Sequence, residues 1–145
     1  MRKIIIALVL STLCFAVTPF SLEGLKEINL IVADKGKVLK KETLVKIRKA
    51  TILKLQEMEI KTETNKFSNL IIKIDAHKVG KKFAVNVAFF IIESVNPIRE
   101  KELENVGITY SQNDFFIADD LDEEVYESAV DFLLYTFEDQ FTEEN

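Results

Sequence analysis

The 145-residue sequence is poor in cysteine, proline, glycine and histidine: it has one cysteine, two prolines, four glycines and one histidine. Its cysteine, Cys14, lies in an apolar N-terminal stretch that we expect to be removed. The remaining chain then has no disulfide, no cysteine metal site and no thiol catalyst. With prolines only at Pro19 and Pro97, there is also no Pro/Gly-rich linker. One domain stabilised by packing alone is therefore predicted.

The N-terminal segment has the pattern of a signal peptide. Two basic residues precede an apolar run over residues 4–10. Small side chains at Cys14 and Ala16 suit cleavage after Ala16, because signal peptidase requires small residues at −3 and −1. We predict a signal peptide over residues 1–16, with cleavage as late as residue 21 as the fallback.

Two other interpretations of this segment are weaker. An uncleaved anchor would use the apolar run over residues 4–17, which is fourteen residues long, whereas a membrane-spanning helix needs about 20. A lipid anchor on Cys14 would follow a small residue, but Leu13 precedes it. The expectation is an exported protein that has a single domain over residues 22–145 and meets the membrane only through its signal peptide.

Basic residues are missing from the last third of the chain. The whole sequence carries 19 Lys+Arg and 24 Asp+Glu, and residues 102–145 hold fourteen acidic residues and no basic one. Either the acidic end attracts the basic first half within one fold, or it meets a basic partner. The overall acidity argues against nucleic acid and anionic membrane surfaces as partners.

The first half of the chain changes from a strand pattern to a helix pattern. Residues 27–34 are β-branched and apolar, and a turn around Gly36 follows them, which predicts a strand. Apolar side chains then recur at helical spacing, with Thr43 as the candidate cap. The stripe of this predicted amphipathic helix consists of Leu44, Ile47, Thr51, Leu55 and Met58.

The middle of the chain predicts a β-hairpin with strands over residues 68–77 and 83–95, joined by a turn around Gly80. Residues 87–92 are apolar on both faces of the second strand. A sheet with one solvated face does not need this pattern, whereas a strand buried on both sides does. We expect the second face to be covered by the following loop, residues 96–107, or by another subunit.

The last third predicts a fourth strand, or a strand and a bend, and then a long helix from Leu121 to about residue 141. Asp120 and Glu123 have the spacing of a capping box at the start of this helix. The predicted order is therefore β-α-β-β-β-α. An α+β fold with two helices packed on one face of a small, largely antiparallel sheet is the simplest architecture for it.

Several stretches together resemble a family of small exported bacterial proteins without assigned function. They are GLKEINLIV (24–32), LKLQEMEIK (53–61), FAVNVAFFIIESV (83–95), NPIR (96–99), ITYSQ (108–112) and AVDFLLYTFEDQF (129–141). Tyr110 stands where the family usually has tryptophan, and Glu59 where it has a helix-end glycine. The resemblance implies an exported, periplasmic α+β domain and transfers no catalytic residue.

Asp75 and His77 are the candidate reactive pair. They lie two residues apart on a predicted strand, so their side chains share one face. No serine has the context of a nucleophile elbow, and nothing in the sequence recruits a third metal ligand. The acidic run over residues 119–124 does not fit an EF-hand, because Val125 stands where the loop requires glycine. No metal and no cofactor are therefore predicted.

These observations favour a non-catalytic binding or accessory module of the cell envelope, with an envelope protein or a second copy as partner. The predicted binding residues are Asp75, His77, Arg99 and Tyr110. A first alternative is a self-associating structural domain, a homodimer formed through the sheet face at Phe90 and Ile92. A second alternative is an enzyme that uses Asp75 and His77.

Overall fold

Four strands and two helical stretches follow the order β-α-β-β-β-α. The computed structural model describes residues 21–100 and 102–145, so the predicted signal peptide lies outside the described residues. The elements are β1 (Asn29–Asp34), α1 (Lys41–Glu57), β2 (Ser68–Val79), β3 (Lys82–Val95), β4 (Asn105–Ala118), α2 (Leu121–Tyr126), a π-helical segment (Glu127–Leu134) and α3 (Tyr135–Glu144). The last three are continuous and are called the C-terminal helix.

The strands form one sheet in the order β1-β2-β3-β4. β1 pairs parallel to β2, and the other two pairings are antiparallel. The chain crosses over between the two parallel strands, and α1 lies in that crossover. β4 pairs with β3 along its whole length, with one register shift at Ile91/Ile92. The prediction of a largely antiparallel α+β fold is confirmed.

The core lies between one face of the sheet and the two helical stretches. Alternate residues of β2 and β3 point into it because side chains alternate across a strand. Its fully buried members include Ile47, Leu55, Leu70, Ile72, Ile74, Val87, Phe89, Ile91, Val125, Leu133 and Phe137. The Phe137 ring contacts Phe89 at 5.8 Å and meets Tyr110 edge-on at 5.2 Å between centroids. Both helices therefore pack on the same face, as predicted.

Helix α1 begins differently from the prediction. Its N-cap is Lys40, which makes no side-chain cap, and Thr43 lies inside the first turn. The carboxylate of Asp122 lies at this end of the helix, where it accepts hydrogen bonds from the Lys40 N–H (3.0 Å) and the Thr43 hydroxyl (2.6 Å). A carboxylate is favoured there by the helix dipole. The acidic start of α2 is thus tied to the beginning of α1.

Helix α1 ends in a Schellman motif. Glu59 has a φ of 60°, and it occupies the position that glycine usually takes in this motif. The N–H of Ile60 donates to the Leu55 carbonyl at 2.9 Å, and that of Glu59 donates to the Gln56 carbonyl at 3.0 Å. Leu55 and Ile60 are both buried, which completes the hydrophobic contact of the motif.

The C-terminal helix has the predicted N-cap residue but a different reciprocal acceptor. The Asp120 side chain accepts from the Glu123 N–H at 3.2 Å, which confirms Asp120 as the N-cap. The reciprocal acceptor is Glu124, not Glu123, since Glu124 accepts from the N–H groups of Asp119 (2.7 Å) and Asp120 (2.9 Å).

The acidic C-terminal helix meets basic α1. Lys54 lies 3.2 Å from Glu138, and Lys40 lies 3.3 Å from Asp122. Attraction within the fold therefore accounts for part of the charge asymmetry. Pairs this exposed each contribute at most about 1 kcal/mol to stability.

Candidate functional site

The face of the sheet opposite the helices is the candidate functional site. Cross-strand register assigns its side chains, since paired residues share a face. They include Asn29, Ile31 and Ala33 of β1, then Asn69, Ile71, Lys73, Asp75 and His77 of β2, then Ala84, Asn86, Ala88, Phe90 and Ile92 of β3, and Ile108, Ser111, Asn113, Phe115 and Ile117 of β4. We call this set the open face.

Large apolar side chains of the open face are exposed. Phe115 is 72% exposed, Ile108 and Ile117 are each 56% exposed, and Ile31 is 42% exposed. The loop that the sequence offers as a cover does not pack its isoleucine there, because Ile98 is 95% exposed. The predicted cover by this loop is therefore not supported at Ile98, and the predicted cover by another subunit stays a prediction.

One end of the open face has small side chains on a central strand. The central strand β3 contributes the small side chains Ala84 and Ala88 there, with Asn86 between them. A depression of about 450 Å³ lies at one end. Its lining comprises Asp75, His77, Ala84, Val85, Asn86, Phe115, Phe116 and Ile117. The face therefore offers both a hollow and a projecting aromatic ring beside it.

The predicted pair Asp75 and His77 is brought together at the rim of this depression. His77 Nε2 lies 3.1 Å from Asp75 Oδ1, and Lys35 Nζ lies 3.3 Å from Asp75 Oδ2. The hydrogen bond from Lys35 outweighs partial desolvation and lowers the pKa of Asp75. Asp75 is therefore a carboxylate at neutral pH, and it orients an imidazole whose side chain is 76% exposed.

Two neighbours of the pair are not apparent from the sequence. Lys35 follows β1 directly and stays paired with β2, because its N–H donates to the Ile74 carbonyl at 3.0 Å. This pairing brings its side chain to Asp75. Asn86 lies between Asp75 and Phe115 across the strands, and its Oδ1 is buried without a hydrogen-bond partner. The depression thus has an unused acceptor in its floor.

The other two predicted binding residues lie elsewhere. Arg99 is exposed and follows the end of β3, whereas His77 pairs with Ala84 near the start of that strand. Tyr110 is 1% exposed, within the core. The four predicted binding residues therefore do not form one site.

Phe90 and Ile92, the predicted self-association residues, both lie on the open face. Phe90 pairs with Ile71 and Ser111, and Ile92 pairs with Ile108. They are half-buried, because large neighbours flank them. Sequence reasoning missed the more exposed Phe115, although alternation along β4 was the signal that could have found it.

Within residues 21–100 and 102–145, no three side chains of the metal-binding types converge on one point. In the same part of the chain, no helix has the length and apolarity to cross a membrane. No protein-family model matches the chain, and the search of curated proteins returned no significant match. The family resemblance therefore stays a prediction.

Proposed function

We propose that this protein is a non-catalytic structural module of the cell envelope that works as a homodimer, joined through the open faces of two sheets. The envelope follows from the export that the sequence predicts. The dimer rests on one observation: apolar side chains from all four strands, one group around Phe90 and a second around Phe115, lie on the face of the sheet opposite the helices, and several of them are exposed.

The exposed apolar surface favours association. Soluble monomers rarely leave large contiguous apolar patches in water, and such patches mark interaction sites. Burying apolar surface contributes about 25 cal/mol per Å². Phe115, Ile117 and Ile108 are each more than half exposed, so burying them in an interface would lower the free energy.

The area of the open face is close to the area that each partner buries in a stable dimer. Each strand residue occupies roughly 16 Å² of a sheet plane, from a rise of about 3.3 Å and a spacing of about 4.8 Å. Strands of 6, 12, 14 and 14 residues therefore present a face on the order of 700 Å². Specific interfaces bury about 800 Å² per partner.

The shape of the face favours a second copy as the occupant. Phe115 projects beside the depression floored by Ala84 and Asn86. In a two-fold arrangement the same patch occurs on both sides, so each Phe115 ring has a hollow available on the other copy. A projecting aromatic side chain in a pocket is the usual centre of an interface.

The charged residues of the face carry both signs. Lys73 and Asp75 lie two positions apart on the same face of β2. A partner of one charge sign would meet like charge at one of these two positions, at a cost in affinity.

The test is size-exclusion chromatography with light scattering on the purified protein. We expect twice the monomer mass for the unchanged protein. Phe115→Lys should give the monomer mass, because it would bury an ammonium group in the apolar contact. Phe132→Lys is the matched control: Phe132 is 53% exposed on the C-terminal helix, away from the open face, and this variant should remain dimeric.

Three results would overturn the proposal. The unchanged protein could be monomeric at several hundred micromolar, Phe115→Lys could stay dimeric, or both variants could dissociate equally. If the protein were a monomer, the open face would be a candidate site for a different envelope protein, and the function would then be binding and not self-association.

A further inference from the structure

A second cavity, of about 720 Å³, lies at the end of the core where both helical stretches terminate. Its walls come from the beginning of β2, the end of β3 and the last residues of α1 and α3. Residues 21–27 form its roof. This volume lies within the range of sites that bind small molecules, and the cavity is on the helix side of the sheet, away from the open face.

The roof of the cavity is anchored at both ends. The Gly24 N–H donates to Asn145 Oδ1 at 2.8 Å, and Asn145 Nδ2 donates to the Leu22 carbonyl at 3.0 Å. Further along, the Lys61 N–H donates to the Lys26 carbonyl at 2.9 Å. The cavity is therefore a built feature of the fold that joins the N-terminal segment to α3 and to the connection before β2.

Glu93 is the oriented charge in this cavity. Ser68 donates to its Oε1 and Thr109 donates to its Oε2, both at 2.7 Å. Each carboxylate oxygen is thus fixed by a hydroxyl and keeps a further lone pair. Glu93 is half-buried, and among the described residues no lysine or arginine pairs with it.

The electrostatics of the cavity favour a positive charge. Helices α1 and α3 both end there, and each helix C-terminus carries roughly −0.5 elementary charge. One lining lysine, Lys66, is already paired with Glu27. The other two, Lys26 and Lys61, are exposed at the rim, where water screens them.

Part of the remaining lining is apolar, and Glu23 and Glu59 add two further carboxylates to it. Leu25, Met58, Ile91 and Phe141 line the cavity and suit an alkyl body. Beside Ile91 lies Tyr110, whose buried hydroxyl has no hydrogen-bond partner. Burial, and then the nearby charge of Glu144, raises the pKa of Tyr110 far above its ordinary value, so this hydroxyl stays protonated at the same end of the core.

We propose that the cavity binds a small organic amine, with its ammonium group on the Glu93 carboxylate and its alkyl part against Leu25, Met58 and Phe141. An ammonium donates up to three hydrogen bonds, and charge-assisted bonds of this kind are about twice as strong as neutral ones. The proposal is independent of the dimer, because the two sites lie on opposite sides of the sheet.

Isothermal titration calorimetry with three probes of equal chain length tests the head group. The probes are hexylamine, hexanol and hexanoate. We expect hexylamine to bind at least about tenfold more tightly than the other two, a factor that corresponds to about 1.4 kcal/mol. Preferential binding of hexanoate would mean that Lys26 and Lys61 select the ligand, and equal binding of all three would mean that no charge does; either result overturns the proposal.

Two variants locate the site. Glu93→Gln should weaken hexylamine binding at least about tenfold, because the amide lacks the charge. Glu63→Gln is the control, since Glu63 is an exposed glutamate in the connection between α1 and β2 and does not line this cavity. Unchanged affinity in a folded Glu93→Gln variant contradicts the proposal. Circular dichroism checks that the variant is folded. If it is not, the comparison of the three probes on the unchanged protein tests the proposed amine site.

Discussion

At the scale of single residues, Glu59 carries a conformation that its side chain does not favour. Its φ of 60° closes the Schellman motif, and left-handed backbone costs a residue with a Cβ roughly 1–2 kcal/mol. Glu59→Gly should therefore raise the free energy of unfolding by about 0.5–1 kcal/mol, since the extra freedom of glycine in the unfolded chain offsets part of the gain. Urea denaturation measures this change.

Glu57→Gly is the control for this prediction. Glu57 is the last helical residue of α1, and glycine inside a helix lowers stability by up to about 1 kcal/mol. The two neighbouring substitutions should therefore have opposite signs. A destabilised Glu59→Gly variant would show that the side chain of Glu59 contributes more than its backbone costs.

The sequence predicts residue pairs that share an element better than those that do not. Asp75 and His77 are found because a strand alternates with period two. Lys35 joins them only through the parallel register of β1 with β2, which no local pattern encodes. Asn86 becomes significant only when Asp75 and Phe115 are known to flank it.

At the scale of elements, Asp122 joins the beginning of α2 to the beginning of α1. Partial desolvation raises its pKa, but the hydrogen bonds from the Thr43 hydroxyl and the Lys40 N–H outweigh it, and the pKa ends below the ordinary 3.8. Asp122→Asn should lower the free energy of unfolding by about 1–2 kcal/mol at neutral pH, because these bonds lose their charge.

The pH dependence of this effect follows from the sign of the shift. A carboxyl whose pKa is lowered in the folded state stabilises the fold above its unfolded pKa, and that contribution is lost as pH falls through the folded pKa. The difference between the unchanged protein and Asp122→Asn should therefore be largest near neutral pH and vanish below the folded pKa. Asp139→Asn, an exposed position on α3, is the control and should change stability little at any pH. A deficit of equal size in strong acid would contradict the charge-based account.

Element order is predictable here, whereas capping is not. Periodicity identifies the helix over Lys41–Glu57 and the hairpin strands, because burial imposes 3.6- and 2-residue repeats. Thr43 is not the cap of α1, because its hydroxyl donates to Asp122, a residue of a distant element that local sequence does not reveal. The π-helical segment Glu127–Leu134 has no signal in the apolar stripe that would separate it from an α-helix.

At the scale of the whole molecule, one sequence pattern already indicates the open face. Residues 87–92 are apolar on both sides, which predicts a cover on the second face. The sequence does not reveal that β4 lies at the edge and that β1 pairs parallel with β2, since both depend on contacts distant in sequence. For that reason the sequence does not single out Phe115, the most exposed large apolar residue of the face.

Oxidative footprinting by hydroxyl radicals, read by mass spectrometry over a range of protein concentrations, tests the homodimer most directly. It reports the solvent exposure of each aromatic ring in the unchanged protein. Phe115 and Phe132 are 72% and 53% exposed in the single chain and serve as probe and internal control. We predict that labelling of Phe115 falls as concentration rises, while labelling of Phe132 stays constant. Equal labelling of Phe115 at every concentration would contradict the dimer through the open face.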